Sequence, residues 1–273
     1  MGFGMKSFAG RVIRSIRTRR ARYSLYSRLP PELRACQTYG ELISRHALRD
    51  EWYAFFDYYY FHSLSPVLKN HKHYYEQALR GYGEKAFHSL WFLLFDHFRP
   101  KQVLEIGVYR GQTVTLWSLL SREIGFPCKV HALSPFADAG DSVSSYAAID
   151  YVSDINEHCQ EFNIDMPALC KSYSTADEAA QYISSHRWDL IYIDGNHDYD
   201  VASHDWTLCS KNLSAGGIIV MDDSAVGTDF HPPCFATAGH PGPSRVVSEF
   251  AGRDFIELPG AGHNRVFQQK RNS

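Results

Sequence analysis

The 273-residue sequence predicts an α/β fold, a mostly parallel seven-stranded sheet covered by helices on both faces and preceded by a helical N-terminal extension. Three observations carry this. From Glu84 onward, short apolar runs alternate with amphipathic stretches of helical spacing, the pattern of strands joined by crossover helices. Two of the runs, 190–193 and 218–221, are apolar without interruption, as strands buried on both faces must be. The last two runs, 255–258 and 265–267, are joined through Pro259-Gly260-Ala261-Gly262, which predicts a closing antiparallel hairpin.

The chain divides near Tyr82-Gly83, into a basic arm and helical cap over 1–82 and a larger domain over 83–273. Every charged residue before Glu32 is basic: Lys6, Arg11, Arg14, Arg17, Arg19, Arg20, Arg22 and Arg28. Phe8, Val12 and Ile16 fall at helical spacing among them, so the arm reads as basic and amphipathic, suited to anionic lipid or a phosphate-rich partner. A solvated, frayed terminus has the same composition. The aromatic stretches Trp52-Tyr53-Ala54-Phe55-Phe56 and Tyr58-Tyr59-Tyr60-Phe61 read as core or cap packing, with a substrate wall as the alternative.

No apolar run approaches the roughly 20 residues of a membrane span. The basic start lacks the apolar core of a signal peptide, and Lys6 stands where a myristoylation signal at Gly2 wants Ser or Thr. None of the six cysteines forms a C-x-x-C pair, which argues against a zinc site and for free thiols in a reducing compartment. A cytoplasmic protein is expected. The net charge of −2 and the scatter of basic residues speak against a nucleic-acid partner. The oligomeric state is open, and a homo-oligomer is compatible with the sequence.

In the larger domain, a helix is expected over 84–98, where Phe87, Leu90, Trp91, Leu94 and Phe95 share one face and Pro100 follows. Strands are expected at 103–106, 130–133 and 169–173, and helices at 113–120, 143–162, 177–185, 201–213 and 245–250. Gly216-Gly217 is read as the turn before the strand 218–221. The excursion 224–244, with His231-Pro232-Pro233 and His240-Pro241-Gly242-Pro243, is long for a loop and reads either as a substrate lid, in which Asp229 and His231 could touch an acceptor, or as an ordinary surface excursion.

Two motifs bear chemistry. The strand 103–106 runs into Gly107-Val108-Tyr109-Arg110-Gly111 and then a helix, a turn whose glycines let backbone approach a ligand. Its spacing is not the G-x-G-x-x-G of nicotinamide enzymes. Asp194 ends one strand and Asp222-Asp223 end the next. Neighbouring parallel strands lie about 4.8 Å apart, so the three carboxylates would converge. Their repulsion is relieved by a hard divalent cation such as Mg2+. Singly, each is as well explained as a helix cap or loop brace. His197, three residues past Asp194, has the chemistry of a general base, with Asp198 as its rival.

The turn resembles motif I, E-x-G-x-x-x-G, of class I S-adenosylmethionine (SAM) dependent methyltransferases. Ile193-Asp194-Gly195-Asn196-His197-Asp198-Tyr199, followed by Gly216-Gly217-Ile218-Ile219-Val220-Met221-Asp222-Asp223, resembles the metal-dependent sugar O-methyltransferases of the macrocin and mycinamicin type. The wider group includes cephalosporin-hydroxylase-like proteins and borders the catechol O-methyltransferases. The resemblance covers about residues 84–267.

It implies a Rossmann-like class I fold and SAM contacts from Glu105, Gly107, Tyr109, Gly111, Ser134, Ser174 and Asp194. It also implies Mg2+ or Mn2+ on Asp194, Asp222 and Asp223, with His197 as base and a small-molecule hydroxyl as acceptor. One departure stands out. The second strand of that family ends in an acid that accepts from the ribose hydroxyls, and here Ser134 stands there, with Asp138 or Asp141 as substitutes from the next loop. A metal-independent methyltransferase and a catalytically silent binding module of the same fold are the alternatives.

Overall fold

The computed structural model describes residues 3–144, 146 and 148–270, with side chains described from residue 15. Gly2, and the side chains of Lys6, Phe8, Arg11, Val12 and Arg14, lie outside that description. The N-terminal part is helical: α1 (Phe3–Ser27), α2 (Pro31–Arg34), α3 (Tyr39–Ile43), α4 (Arg49–His62) and α5 (Pro66–Glu76). Helix α6 (Lys85–Phe98) leads into β1 (Gln102–Ile106), α7 (Gln112–Ile124), β2 (Lys129–Ser134), α8 (Tyr151–Glu161), β3 (Ala168–Lys171) and α9 (Asp177–Ser184). Then come β4 (Trp188–Ile193), α10 (Tyr199–Lys211), β5 (Leu213–Met221), α11 (Pro241–Asp254), β6 (Phe255–Ala261) and β7 (Asn264–Gln269).

The seven strands form one sheet in the order β3-β2-β1-β4-β5-β7-β6. The first five are parallel, and β7 runs antiparallel to both β5 and β6. The Rossmann-like architecture with its C-terminal antiparallel pair therefore matches expectation. Alternate strand residues serve opposite faces. Val103, Val130, Ala132, Leu190, Tyr192, Ile218 and Val220 pack against Leu90, Phe95 and Trp117 of α6 and α7 and join the aromatic core of α4. Leu104, Ile106, Leu133, Ile191, Ile193, Ile219 and Met221 pack against Ile183, Trp206 and Val246 of α9, α10 and α11. Both faces are dry, which is why these strands read as unbroken apolar runs.

The aromatic stretches of α4 are core: Tyr53, Phe55 and Phe56 are buried, and the apolar core runs on from them into the sheet. Polar ties hold the N-terminal helices to the C-terminal hairpin. Tyr39 donates from its hydroxyl to the Pro259 carbonyl at 2.6 Å. Arg49 of α4 pairs with Glu257 of β6, which also accepts two bonds from Arg265 at 2.8 Å each. Helix α1 is held by Asp57, which accepts from Arg22 Nε at 2.9 Å and from the Tyr26 hydroxyl at 2.6 Å.

The structure corrects several expected boundaries. The helix expected from 143 begins only at Tyr151, where the Asp150 side chain caps it. Before it, Asp141 captures the N–H groups of Val143 and Ser144 at 2.9 and 2.6 Å, a turn that consumes helix donors. Gly216 and Gly217 lie inside β5, at an irregularity where the pairing with β4 shifts. The hairpin turn is at Gly262-His263, because β6 continues through Pro259 and Gly260 to Ala261. Residues 241–244 open α11 instead of belonging to a lid. All six cysteines are free thiols, and among the described residues no helix is long and apolar enough to cross a membrane.

Asp57 is 1% exposed, so losing Arg22 would strand a buried carboxylate with Tyr26 alone. Arg22→Ala is expected to lower the unfolding free energy by about 2 kcal/mol, read from urea denaturation. A change below about 0.5 kcal/mol, the size of an ordinary surface substitution, would contradict this account of the tie.

Candidate active site

The site is built at the carboxyl ends of β1, β4 and β5. The register pairs Ile106 with Ile193 and Ile193 with Met221, so Gly107, Asp194 and Asp222 follow at one level. Gly107 has φ of +90°, and a Cβ there would stand 2.0 Å from the Asp194 carbonyl oxygen. The glycine is thus required by the neighbouring loop as well as by any ligand. Gly111, with φ of +80°, starts α7 with Ile155 directly against it.

Glu105 is buried behind this turn. Thr113 and the Val114 backbone lie beside its carboxyl and favour the ionised form, but Oε2 has no hydrogen-bond partner. Burial pushes its pKa up to about 8. A buried carboxyl oxygen left open is a place prepared for a donor from outside the chain.

Two cavities meet at Gly107 and Tyr146. The first, about 750 Å³ of empty space, lies over β1, β2 and β4 between Leu133, Ser134, Phe136, Ser174 and Asn196. The second is a cleft of about 1560 Å³ lined by Glu84, Glu105, Tyr109, Asp194, His197, Asp222, Asp223, His240 and His263. Both volumes include space open to solvent.

In the cleft the acids are not equivalent. Burial, and then the neighbouring Asp222, raise the Asp194 pKa well above the usual carboxylate range. Burial and Asp223 raise Asp222 as well, and it accepts from Asn264 Nδ2 at 2.7 Å. Asp223 goes the other way. Burial opposes its ionisation, but His197 and His263 hold it below the ordinary value. His197 is clamped between two carboxylates, Nε2 to Asp223 at 2.7 Å and Nδ1 to Asp141 at 2.6 Å. Burial pulls its pKa down, yet the two acids carry it to about 9. The two carboxylates therefore favour the charged ring in this arrangement.

The expected residues fall as follows. Glu105, Gly107, Tyr109, Asp194, His197, Asp222 and Asp223 all line the cleft. Ser134 and Ser174 line the first cavity, with their hydroxyls donating to Val108 O at 3.2 Å and Asp205 Oδ2 at 3.0 Å. Asp198 is not brought in: it is exposed and accepts from Ser142. Asp138 is exposed and outside both cavities. Asp141 lines the first cavity, but three backbone N–H groups and His197 already occupy its carboxylate. Asp229 and His231 turn to Arg49 and Asp50 of α4, so from the expected lid only Thr237 and His240 face the cleft.

Among the described residues, two sets bring ligand atoms within 4.8 Å of one another, His197/Asp223/His240 and Asp222/Asp223/His263, and Asp194 is in neither. Glu84, His240, His263 and Asn264 were not foreseen. The polar pair His263-Asn264, set between two apolar strands, was the one signal available.

A model of the methyltransferase domain matches residues 104–224. No curated protein matches the chain. Among solved structures, an O-methyltransferase from Bacillus cereus in complex with SAH (S-adenosylhomocysteine) is 15% identical with a TM-score of 0.52, covering 82% of this chain and 100% of its own. The SAH-bound Podospora anserina methyltransferase PaMTH1 is 16% identical with a TM-score of 0.51, over 78% and 90%. The O-methyltransferase TomG from Streptomyces achromogenes, involved in tomaymycin synthesis and solved with SAM, is 14% identical with a TM-score of 0.51, over 83% and 100%. The fold is that of class I SAM-dependent methyltransferases.

Glu105 generates a prediction for the free protein. Its carboxyl ionises near 4.5 when unperturbed and near 8 when folded. Between these values the folded chain holds a proton that the unfolded chain has released, so stability falls as pH rises. Glu105→Gln is expected to remove that part of the slope, seen as a smaller loss of unfolding free energy between pH 5 and pH 8. Equal slopes for both proteins would contradict the raised pKa.

Proposed function

We propose that this chain transfers a methyl group from SAM to a hydroxyl of a small-molecule diol, such as a sugar, glycoside or catechol, with Mg2+ or Mn2+ positioning the acceptor. The observation that supports it most is convergence. The open Glu105 carboxyl and the Asp194, Asp222 and Asp223 cluster line one cleft, continuous with a second cavity at the motif I turn. The donors suit both guests. Glu105 Oε2 lacks a cationic partner such as the ammonium of SAM. The crowded acids, which must otherwise share protons, suit a divalent ion.

In this reading Glu105 ionises when it accepts the ammonium, and the apolar walls Leu133 and Phe136 hold the base. Ser134 keeps its oxygen lone pairs for a ribose hydroxyl while its own proton goes to Val108. The acceptor enters beside Tyr109 and His197. A bound divalent ion would lower the pKa of a hydroxyl and fix its direction. Once Asp223 has turned from Nε2 and that nitrogen has released its proton to solvent, His197 takes the acceptor proton there. Asp141 holds Nδ1–H throughout, which fixes the tautomer and steadies the imidazolium formed. The sulfonium supplies the methyl carbon, so the protein's work is alignment and exclusion of water. Residues 1–82 act as a cap, with Arg80, Gly81 and Tyr82 at the cleft wall. The basic residues of α1 offer contact to an anionic surface.

The end of β2 favours a second reading, a methyltransferase-like binding module without turnover. Among the residues lining the first cavity, Asp141 is the acid near that end, and its carboxylate is already engaged.

The test is methyl-labelled SAM with a panel of glycosides and catechols, with Mg2+ or Mn2+ and with excess chelator. Labelled acceptor is expected with the ion, and chelator is expected to abolish it. Asp222→Asn should reduce turnover by about a hundredfold or more while calorimetry still shows SAM binding. Full activity in chelator removes the ion from the account, and failure to bind SAM leaves the binding module. Glu105→Gln should weaken SAM binding by about tenfold or more, as expected for one lost charged hydrogen bond. Unchanged affinity would take Glu105 out of the site.

A further inference from the structure

Resting on the reading that a divalent ion occupies the cleft, we infer that His263 is one of its ligands, making a mixed nitrogen and oxygen site with Asp222 and Asp223 that favours a transition ion such as Mn2+ over Mg2+. His263 sits in the turn between β6 and β7, carried by Gly262 with φ of +63°. The ring is 6% exposed and packed against Phe87 at 4.9 Å between centroids. The Thr237 backbone lies beside the ring, and Nδ1 is buried with no hydrogen-bond partner.

That open nitrogen stands 3.5 Å from Asp223 Oδ1, and Nε2 stands 3.4 Å from Asp222 Oδ1. Ligands held about 2.1 Å from an ion stand about 3.0–3.4 Å from one another; Nδ1 and Asp223 Oδ1 are near that spacing, and one ligand atom from each of Asp222, Asp223 and His263 lies within 4.8 Å of the others. Metal-binding histidines commonly donate their second ring N–H to a carbonyl, which fixes the ring and the tautomer. The Thr237 backbone is the neighbour beside the ring that offers such a contact. An imidazole beside two carboxylates suits Mn2+, Co2+ or Zn2+, whereas Mg2+ prefers oxygen and water throughout. The three-aspartate set expected from sequence contains no such donor.

The experiment strips the full-length protein with chelator and titrates it calorimetrically with Mn2+ and with Mg2+. It then records the electron spin echo spectrum of the Mn2+-loaded protein for coupling to a ring 14N nucleus. Coupling is expected in the wild type, in His197→Asn and in His240→Asn, and is expected to vanish in His263→Asn. In His263→Asn, Mn2+ affinity should fall by at least about tenfold, with Mg2+ affinity changed less. Coupling absent from the wild type, or surviving in His263→Asn, overturns the inference. So does its loss in His240→Asn, which would place the ion in the other set.

Should His263→Asn fail to fold, coupling retained in both other variants supports His263, and its loss in either one overturns it. If no divalent ion binds the wild type, the metal part of the proposed function falls as well. Mn2+ that binds and is lost in Asp222→Asn, but shows no nitrogen coupling, removes His263 alone.

Discussion

The in-register pairing of β1, β4 and β5 is the constraint on which the rest of the molecule depends. Because Ile106, Ile193 and Met221 stand side by side, the residues that follow them emerge at one edge of the sheet. A shift of one residue would send these acids to the opposite faces. Close packing fixes the register, since both faces of these strands are buried against helices and a slip would misfit the side chains on each face. The cluster of acids is thus held together by hydrophobic burial against its own repulsion. Asp223 adopts a left-handed φ of 50°, and Gly239 is the residue that can lie against it. Strain and charge are concentrated at the same point, as is common where a chain binds or reacts.

The N-terminal helices and the segment after β5 are built into this edge. Arg49 reaches both Glu257 of the hairpin and Asp229 of the excursion, and Asp50 accepts from the His231 N–H at 2.6 Å. Tyr53 packs on Phe230 and donates to Glu84 at 2.6 Å, and Glu84 itself lines the cleft. Burial raises the Glu84 pKa to about 6. Helix α4, the excursion and one wall of the cleft therefore share side chains. A movement that opens the cleft on this side must break several of these ties together.

The sheet was legible in the sequence because β4 and β5 are apolar runs that end in acid, and the shorter runs before and after them alternate with stretches of helical spacing. The hairpin was legible as a hairpin but its turn was misplaced. Pro259-Gly260 looks like a turn locally, while the pairing of Ala261 with Asn264 extends β6 past it. Asp194, Asp222 and Asp223 could be placed at one edge from strand order alone. What strand order could not supply was the behaviour of His197, whose pKa depends on Asp141, 56 residues away, and on Asp223. His263 and Asn264 were hidden for the same reason. They come from the hairpin, and only the insertion of β7 beside β5 brings them to Asp222. Asp229 and His231 seemed free to meet an acceptor because the sequence does not show that α4 claims them.

The most direct test of the central claim is crystallography of the full chain with SAH and Mn2+, using the anomalous scattering of manganese. The account predicts one strong anomalous peak beside Asp222 and Asp223, with the sulfur of SAH in the same cleft and its amino group at Glu105. A peak elsewhere, or none beside an ordered SAH, would contradict it.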